Sequence, residues 1–177
     1  VEAYDPQLGA WAPVASMSEE RFTHASVVLD GKIYAIGGLG DGEDEDDNDK
    51  ELDTVEVYDP QADSWQQVAS MPHARHCHAA AAMGGKIYVT GGTIQGSSTN
   101  SVCVYDPQAD AWAQLASMST ARVEHASTAV GGKLYVFGGV DGGVCLSTAE
   151  VYDPASGSWA QVSSLTSARS NLVAAAL

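Results

Sequence analysis

The sequence predicts an all-β fold of repeated four-stranded antiparallel units, and three observations carry that prediction. A Tyr-Asp-Pro step recurs at Tyr4, Tyr58, Tyr105 and Tyr152, at spacings of 54, 47 and 47 residues. Other residues keep the same beat: Trp11, Trp65, Trp112 and Trp159 each lie seven residues beyond the tyrosine, and Gly37-Gly38, Gly91-Gly92 and Gly138-Gly139 recur with Arg21, Arg75, Arg122 and Arg169. Finally, the apolar runs are short, rich in β-branched and aromatic residues and bounded by turn residues, with no helical period. A period near fifty residues of this kind marks stacked supersecondary units.

One repeat shows how each strand arises. Strand a is read in His78–Met83, and Gly84-Gly85 supplies the positive φ of a two-residue hairpin turn, as do Asp30-Gly31 and Gly131-Gly132 elsewhere. Strand b, Lys86–Thr90, ends on a double glycine, where backbone passes close to backbone or adopts a conformation denied to larger residues. Strand c, Val102–Tyr105, closes on Asp106-Pro107, a turn-forming pair. Strand d runs from Trp112 through Leu115. Such a meander is one blade of a β-propeller. Tyr58, Trp65, Tyr105, Trp112, Tyr152, Trp159 and the recurrent methionine are read as packing between blades, since each aromatic buries on the order of 150–250 Å².

The double glycine followed by spaced tyrosine and tryptophan resembles the kelch repeat, and the Arg-x-x-His and Val-Glu-Val-Tyr-Asp-Pro wording is similar to kelch-like adaptor proteins. That resemblance implies a kelch propeller. It also implies protein recognition, because arginines of this region can engage acidic peptides in such adaptors.

Taken in order, residues 1–17 hold strands c and d of one blade. Full blades follow at 21–71, 75–118 and 122–165, and 169–177 supplies strand a of a further one. A ring of six or so blades needs roughly 300 residues. The chain is therefore expected to be about half a propeller, its missing blades supplied by the rest of a parent chain or by another subunit.

A net charge of −15 argues against nucleic acid and anionic membrane surfaces. Apolar segments are too short to insert in a bilayer, which takes about 20 residues. Residues 41–53 carry nine acidic side chains and one lysine, an insertion in the b–c loop of the first blade. Clustered like charges favour a solvated loop. Asp44, Asp46 and Asn48 alternate as in a calcium loop, but Asp49 and Val55 stand where glycine and glutamate belong. A strip for a basic partner is the third reading.

No metal or cofactor is expected. Cys77, Cys103 and Cys145 fall at unrelated repeat positions and read as free thiols, which favours an intracellular, cytoplasmic setting. His24, His78 and His125 share a slot that holds Leu172 in the fourth copy, so they read as structural. His73, His76 and His78 lack a carboxylate at zinc-site spacing.

Successive turns of a meander alternate between its two ends, so the b–c loops and d–a connections share one face. The arginine series lies near that face. Two readings stand: capture of partner carboxylates in the channel, or structural bonds within the blades. Side chains that vary between repeats are the specificity candidates: Glu19, Glu20, His73, Ser119, Thr120, Thr166 and Ser167 in the d–a turns, with residues 93–100 and 140–146 in the b–c loops. The expected function is a non-catalytic protein-interaction scaffold or the substrate-recognition part of an adaptor. The competing classes are an architectural subunit and a fragment of a kelch-type enzyme, such as a sugar oxidase or sialic acid epimerase. No general acid–base pair stands out of the repeat pattern.

Overall fold

The computed structural model describes residues 1–42 and 49–176. Its strands are β1 (Glu2–Asp5), β2 (Ala10–Pro13), β3 (Ala25–Leu29), β4 (Lys32–Ile36), β5 (Leu39–Gly40), β6 (Lys50–Glu51), β7 (Val55–Asp59), β8 (Ser64–Val68), β9 (Ala79–Met83) and β10 (Lys86–Thr90). There follow β11 (Thr93–Ile94), β12 (Ser97–Ser98), β13 (Val102–Asp106), β14 (Ala111–Leu115), β15 (Ala126–Val130), β16 (Lys133–Phe137), β17 (Val140–Asp141), β18 (Val144–Cys145), β19 (Ala149–Asp153) and β20 (Ser158–Val162). Among the described residues there is no helix, and so none long and apolar enough to cross a membrane.

Three four-stranded antiparallel sheets result, in the orders β3-β4-β7-β8, β9-β10-β13-β14 and β15-β16-β19-β20, while β1 and β2 pair alone. The registers are superimposable: Tyr58 sits opposite Trp65, Tyr105 opposite Trp112 and Tyr152 opposite Trp159. Each a–b turn has two consecutive positive φ values, such as +60° and +74° at Gly84 and Gly85. This mirror-image turn matches the right-handed twist of the strands it joins. The strands a lie side by side, β3 against β9 and β9 against β15, and so form the inner wall.

The core lies between blades. Tyr34 meets Tyr105 at 6.1 Å and Tyr88 meets Tyr152 at 6.2 Å, with Met71, Ile87, Val89 and Leu134 buried around them. The tryptophans lock the joint with a polar bond, Trp65 Nε1 donating to Ala15 O (2.9 Å), Trp112 Nε1 to Ala69 O (2.8 Å) and Trp159 Nε1 to Ala116 O (2.8 Å). Two aspartates in left-handed turns extend the device: Asp110 Oδ1 accepts from Tyr105 Oη at 2.7 Å and from Ala69 N at 2.9 Å, and Asp63 bonds Tyr58 and Ala15 N likewise. The double glycines bind the next blade. Gly38 N donates to Arg75 O (2.9 Å), and a Cβ on Gly37 would lie 2.7 Å from that same oxygen. No other residue fits there.

Two expectations are corrected. The b–c connections are two-residue ribbons, β5-β6, β11-β12 and β17-β18, because the left-handed glycine pairs turn the chain back onto the residue after each arginine, as in the Phe22–Leu39 bridge. The segment 169–176 forms no strand, since no strand b lies beside it to complete a ladder. Residues 43–48 of the acidic insertion, with the calcium-like alternation, lie outside the described residues.

Candidate interaction face

Arg21, Arg75 and Arg122 each begin a blade just ahead of strand a, and their side chains turn into the blade's own b–c end. Arg21 Nη1 donates to Gly37 O (2.8 Å) and Thr54 O (3.1 Å), and Nη2 to Thr54 Oγ1 (3.2 Å) and Glu56 Oε1 (2.9 Å). Arg122 repeats the pattern with Gly138, Thr148 and Glu150 at 2.8–3.0 Å. The second carboxylate oxygen accepts from the connection before the arginine, from Ser18 N and Oγ at 2.8 and 2.9 Å, or from Ser119 N at 2.7 Å. Burial alone would raise the pKa of Glu56 and Glu150, but these serine donors and the arginine charge outweigh it and hold both carboxyls below their usual range.

The expectation that the arginine series lines the channel as carboxylate receptors fails at Arg21, Arg75 and Arg122, all buried in the blade end. A guanidinium with five donors is used there to satisfy the glycine carbonyl of each junction, and at Arg21 and Arg122 it adds a second bond to a threonine carbonyl that already accepts from the glycine N–H. Arg169 alone is exposed, its Nη2 donating to Ser167 Oγ at 2.6 Å.

Arg75 differs from its two buried counterparts. Cys103 occupies the glutamate position and Pro72 the serine position, so carboxylate and carboxylate donor are both missing. Among the described residues its one side-chain hydrogen bond is Nη1 to Gly91 O at 2.9 Å, and Nη2 is buried with no partner there, as is the hydroxyl of Ser101 at the threonine position. Burial lowers the pKa of Arg75, and burial pushes the Cys103 thiol up to about 11, so the thiol stays neutral.

Toward the axis, Thr23, Cys77, Glu124 and Asn171 all take left-handed φ of 51–55°. The backbone relays Cys77 N to Thr23 O, Glu124 N to Cys77 O and Asn171 N to Glu124 O, at 2.9–3.0 Å, stitch blade to blade. These residues and His24, His78 and His125 line an open cavity of about 270 Å³. The His78 and His125 pKa values fall to about 3, burial being the main cause and the neighbouring arginine the next. Sequence reasoning missed this ring. Its signal was present, a position of four different residue types two beyond an unchanging arginine.

The specificity candidates sit at the same end. His73 and Ser167 are exposed and Thr120 half-buried. His73 borders a second groove of about 410 Å³ with Gln95, Ser97, Ser98 and Ser101. Neighbouring ribbons are tied at its rims, Gln95 N donating to Glu51 Oε2 at 2.9 Å and Ser98 Oγ to Asp141 Oδ1 at 2.7 Å. The opposite face carries the pairs Lys32–Asp59, Lys86–Asp106 and Lys133–Asp153. Among the described residues no group of three His, Cys, Asp or Glu side chains is arranged to hold a metal ion.

The repeated blades with glycine-pair junctions, tyrosine–tryptophan locks and buried arginines define a kelch-type propeller segment. The family described as the KLHDC2/KLHL20/DRC7 Kelch-repeats domain matches residues 24–176, and the chain belongs to that kelch-repeat family. It is similar to Kelch-like protein 33 of Homo sapiens, 37% identical over 89 residues that make up 50% of this chain and 15% of that protein. Kelch-like protein 35 of Mus musculus is 36% identical over 100 residues, 56% of this chain and 16% of that protein. The chain thus spans about a sixth of the length of these curated relatives. In fold it is similar to the solved structure of YjhT, with a TM-score of 0.79 at 18% identity, covering 91% of this chain and 57% of that one.

Proposed function

We propose that this chain is a non-catalytic protein-interaction module, a scaffold or the substrate-recognition part of an adaptor. Its binding surface is the face of b–c ribbons and d–a connections. One observation carries the reading: side chains that change from repeat to repeat, among them His73, Thr120 and Ser167, project from a backbone that does not change. Recognition residues characteristically sit on loops held by a rigid scaffold. The opposite face, by contrast, repeats one lysine–aspartate pair per blade. The similarity to Kelch-like proteins and to Kelch repeat and BTB domain-containing protein 12 of Homo sapiens supports an adaptor role. The three unpaired thiols support an intracellular, cytoplasmic site of action. The exposed Tyr4 and Trp11, whose counterparts lock blades elsewhere, support further blades from a parent chain or another subunit.

The test is face-resolved crosslinking in cells, with a photoreactive residue placed at Thr120 or Ser167 and, separately, at Gln61 or Gln108 on the opposite face. Adducts of discrete mass from the first pair only are expected. Equal yields from both faces would overturn the assignment.

A further inference from the structure

The three buried arginines differ in their counter-charge. Glu56 stands 2.9 Å from Arg21 Nη2, with Glu19 at 3.7 Å, and Glu150 stands 3.0 Å from Arg122 Nη2. Among the described residues Arg75 has no carboxylate, although it is as fully enclosed as Arg122. A buried cation without a counter-charge is costly, and a buried polar group without a partner calls for an explanation.

The surroundings of Arg75 indicate what could compensate it. Nη1 meets the junction glycine's carbonyl in all three blades, at 2.8–2.9 Å, so Nη2 of Arg75 falls at the blade end where threonine and glutamate receive its counterparts. Those positions hold Ser101 and Cys103. Nε is unpartnered in all three arginines; what sets Arg75 apart is that Nη2 and the Ser101 hydroxyl are also buried with no partner among the described residues. Both replacements shorten the side chain, serine by a methyl group and cysteine by a carboxylate, and the neutral thiol of Cys103 supplies no charge. A water molecule would bond both groups and leave the charge uncompensated, whereas an anion does both. We propose that the second blade binds a small monovalent inorganic anion, chloride being the physiological example, between Arg75 Nη2 and Ser101 Oγ in place of the glutamate carboxylate of the other blades. Both groups donate to it, and no chain carboxylate competes for them. The site takes no larger ligand and no side chain from outside, because Arg75 lines neither the axial cavity nor the groove beside His73. Ser101 borders that groove, which gives the anion a short path to solvent. Such a site is independent of any partner bound at the loop face.

The test is urea unfolding of the whole chain in sodium chloride and in sodium gluconate at matched ionic strength. Above the Kd, each tenfold rise in chloride is expected to add about 1.4 kcal/mol to stability, the linkage value for one site present only in the folded protein. Gluconate, too large for the blade end, is expected to give no such slope. Pro72→Ser with Cys103→Glu keeps Arg75, supplies a carboxylate and its serine donor from the chain, and is expected to abolish the chloride response. In crystals grown with sodium bromide, an anomalous peak is expected within hydrogen-bonding reach of Arg75 Nη2 and Ser101 Oγ; this reads the native protein directly, whether or not the double variant folds. Equal stability in the two salts, a chloride response that survives in the double variant, or no bromide peak beside Arg75 overturns the proposal.

Discussion

The first and third blades close their arginine with a glutamate and a serine; the second blade, built on the same backbone, has neither. In the complete version a cation, an anion, a threonine and a serine satisfy one another across 28 to 38 residues of sequence. In the reduced version Pro72, which has no N–H, stands where Ser18 and Ser119 donate, and Cys103 removes the charge that would need those donors. The two losses belong together. A glutamate at position 103 facing Pro72 would be buried with half its acceptors unmet, whereas a thiol makes no such demand. The fold therefore needs the arginine for the glycine carbonyl at every blade and tolerates loss of the ion pair.

The largest expected consequence separates Arg122 from Arg75. Arg122→Met strands a buried Glu150 and is expected to cost about 3–5 kcal/mol, the usual penalty for breaking a buried pair. Arg75→Met strands no carboxylate and is expected to cost on the order of 1 kcal/mol, one hydrogen bond to Gly91 offset by relief of an unpaired charge. Urea denaturation of both variants reads the difference, and equal losses would break the comparison.

Acid sharpens it further. His78 and His125 titrate near 3 when folded against 6.5 when unfolded, so their contribution is complete above pH 6.5 and is lost as pH falls from 6.5 toward 3. At pH 5 that amounts to roughly 2 kcal/mol for each buried imidazole. His78→Leu, which copies Leu172, should flatten this limb in thermal melts recorded from pH 7 to 5. Retention of the full slope would show that His78 is not the source. Glu56 and Glu150 act lower. Their folded values are depressed below the ordinary 4.5, so their stabilisation is present above that value and disappears as pH falls through the folded one. Glu150→Gln should weaken acid sensitivity below pH 4.5, and no change at position 103 in the native protein can do so.

A double-mutant cycle gives a smaller effect. Cys103→Glu alone is expected to be near neutral or destabilising, and Pro72→Ser with Cys103→Glu is expected to recover about 1–2 kcal/mol through coupling. Additive effects would mean that the serine does not serve the carboxylate. The smallest effect belongs to the opposite face, where Lys86→Ala should leave the urea midpoint essentially where it is in the native protein, since an exposed ion pair contributes little.

Much of the site was legible as positions and little of it as roles. Strand alternation assigns His73, Thr120 and Ser167 to one face, because a meander leaves only two ends for its turns. The arginines were placed near that end with two directions left open, toward partner carboxylates or into the blades. Whether a side chain at the start of strand a points to the channel or into its own blade depends on Thr54, Glu56 and their counterparts, which come close only after four strands have paired. The left-handed ring of Thr23, Cys77, Glu124 and Asn171 was missed for a related reason: none is a glycine, so composition gave no warning of positive φ.

The sequence by itself determined the blade, its strands and its locks. These follow from local rules, a two-residue turn that requires positive φ, a period-two alternation of buried side chains, and tyrosine and tryptophan brought opposite one another by the register of strands c and d. Tertiary structure alone decided which charges meet, because ion pairing depends on distances between segments that the sequence sets tens of residues apart. It also decided which cation is left without a partner. Arg75 reads like Arg21 and Arg122 in the chain, and only the folded blade shows its guanidinium buried with one hydrogen bond, to Gly91 O, and no carboxylate among the described residues.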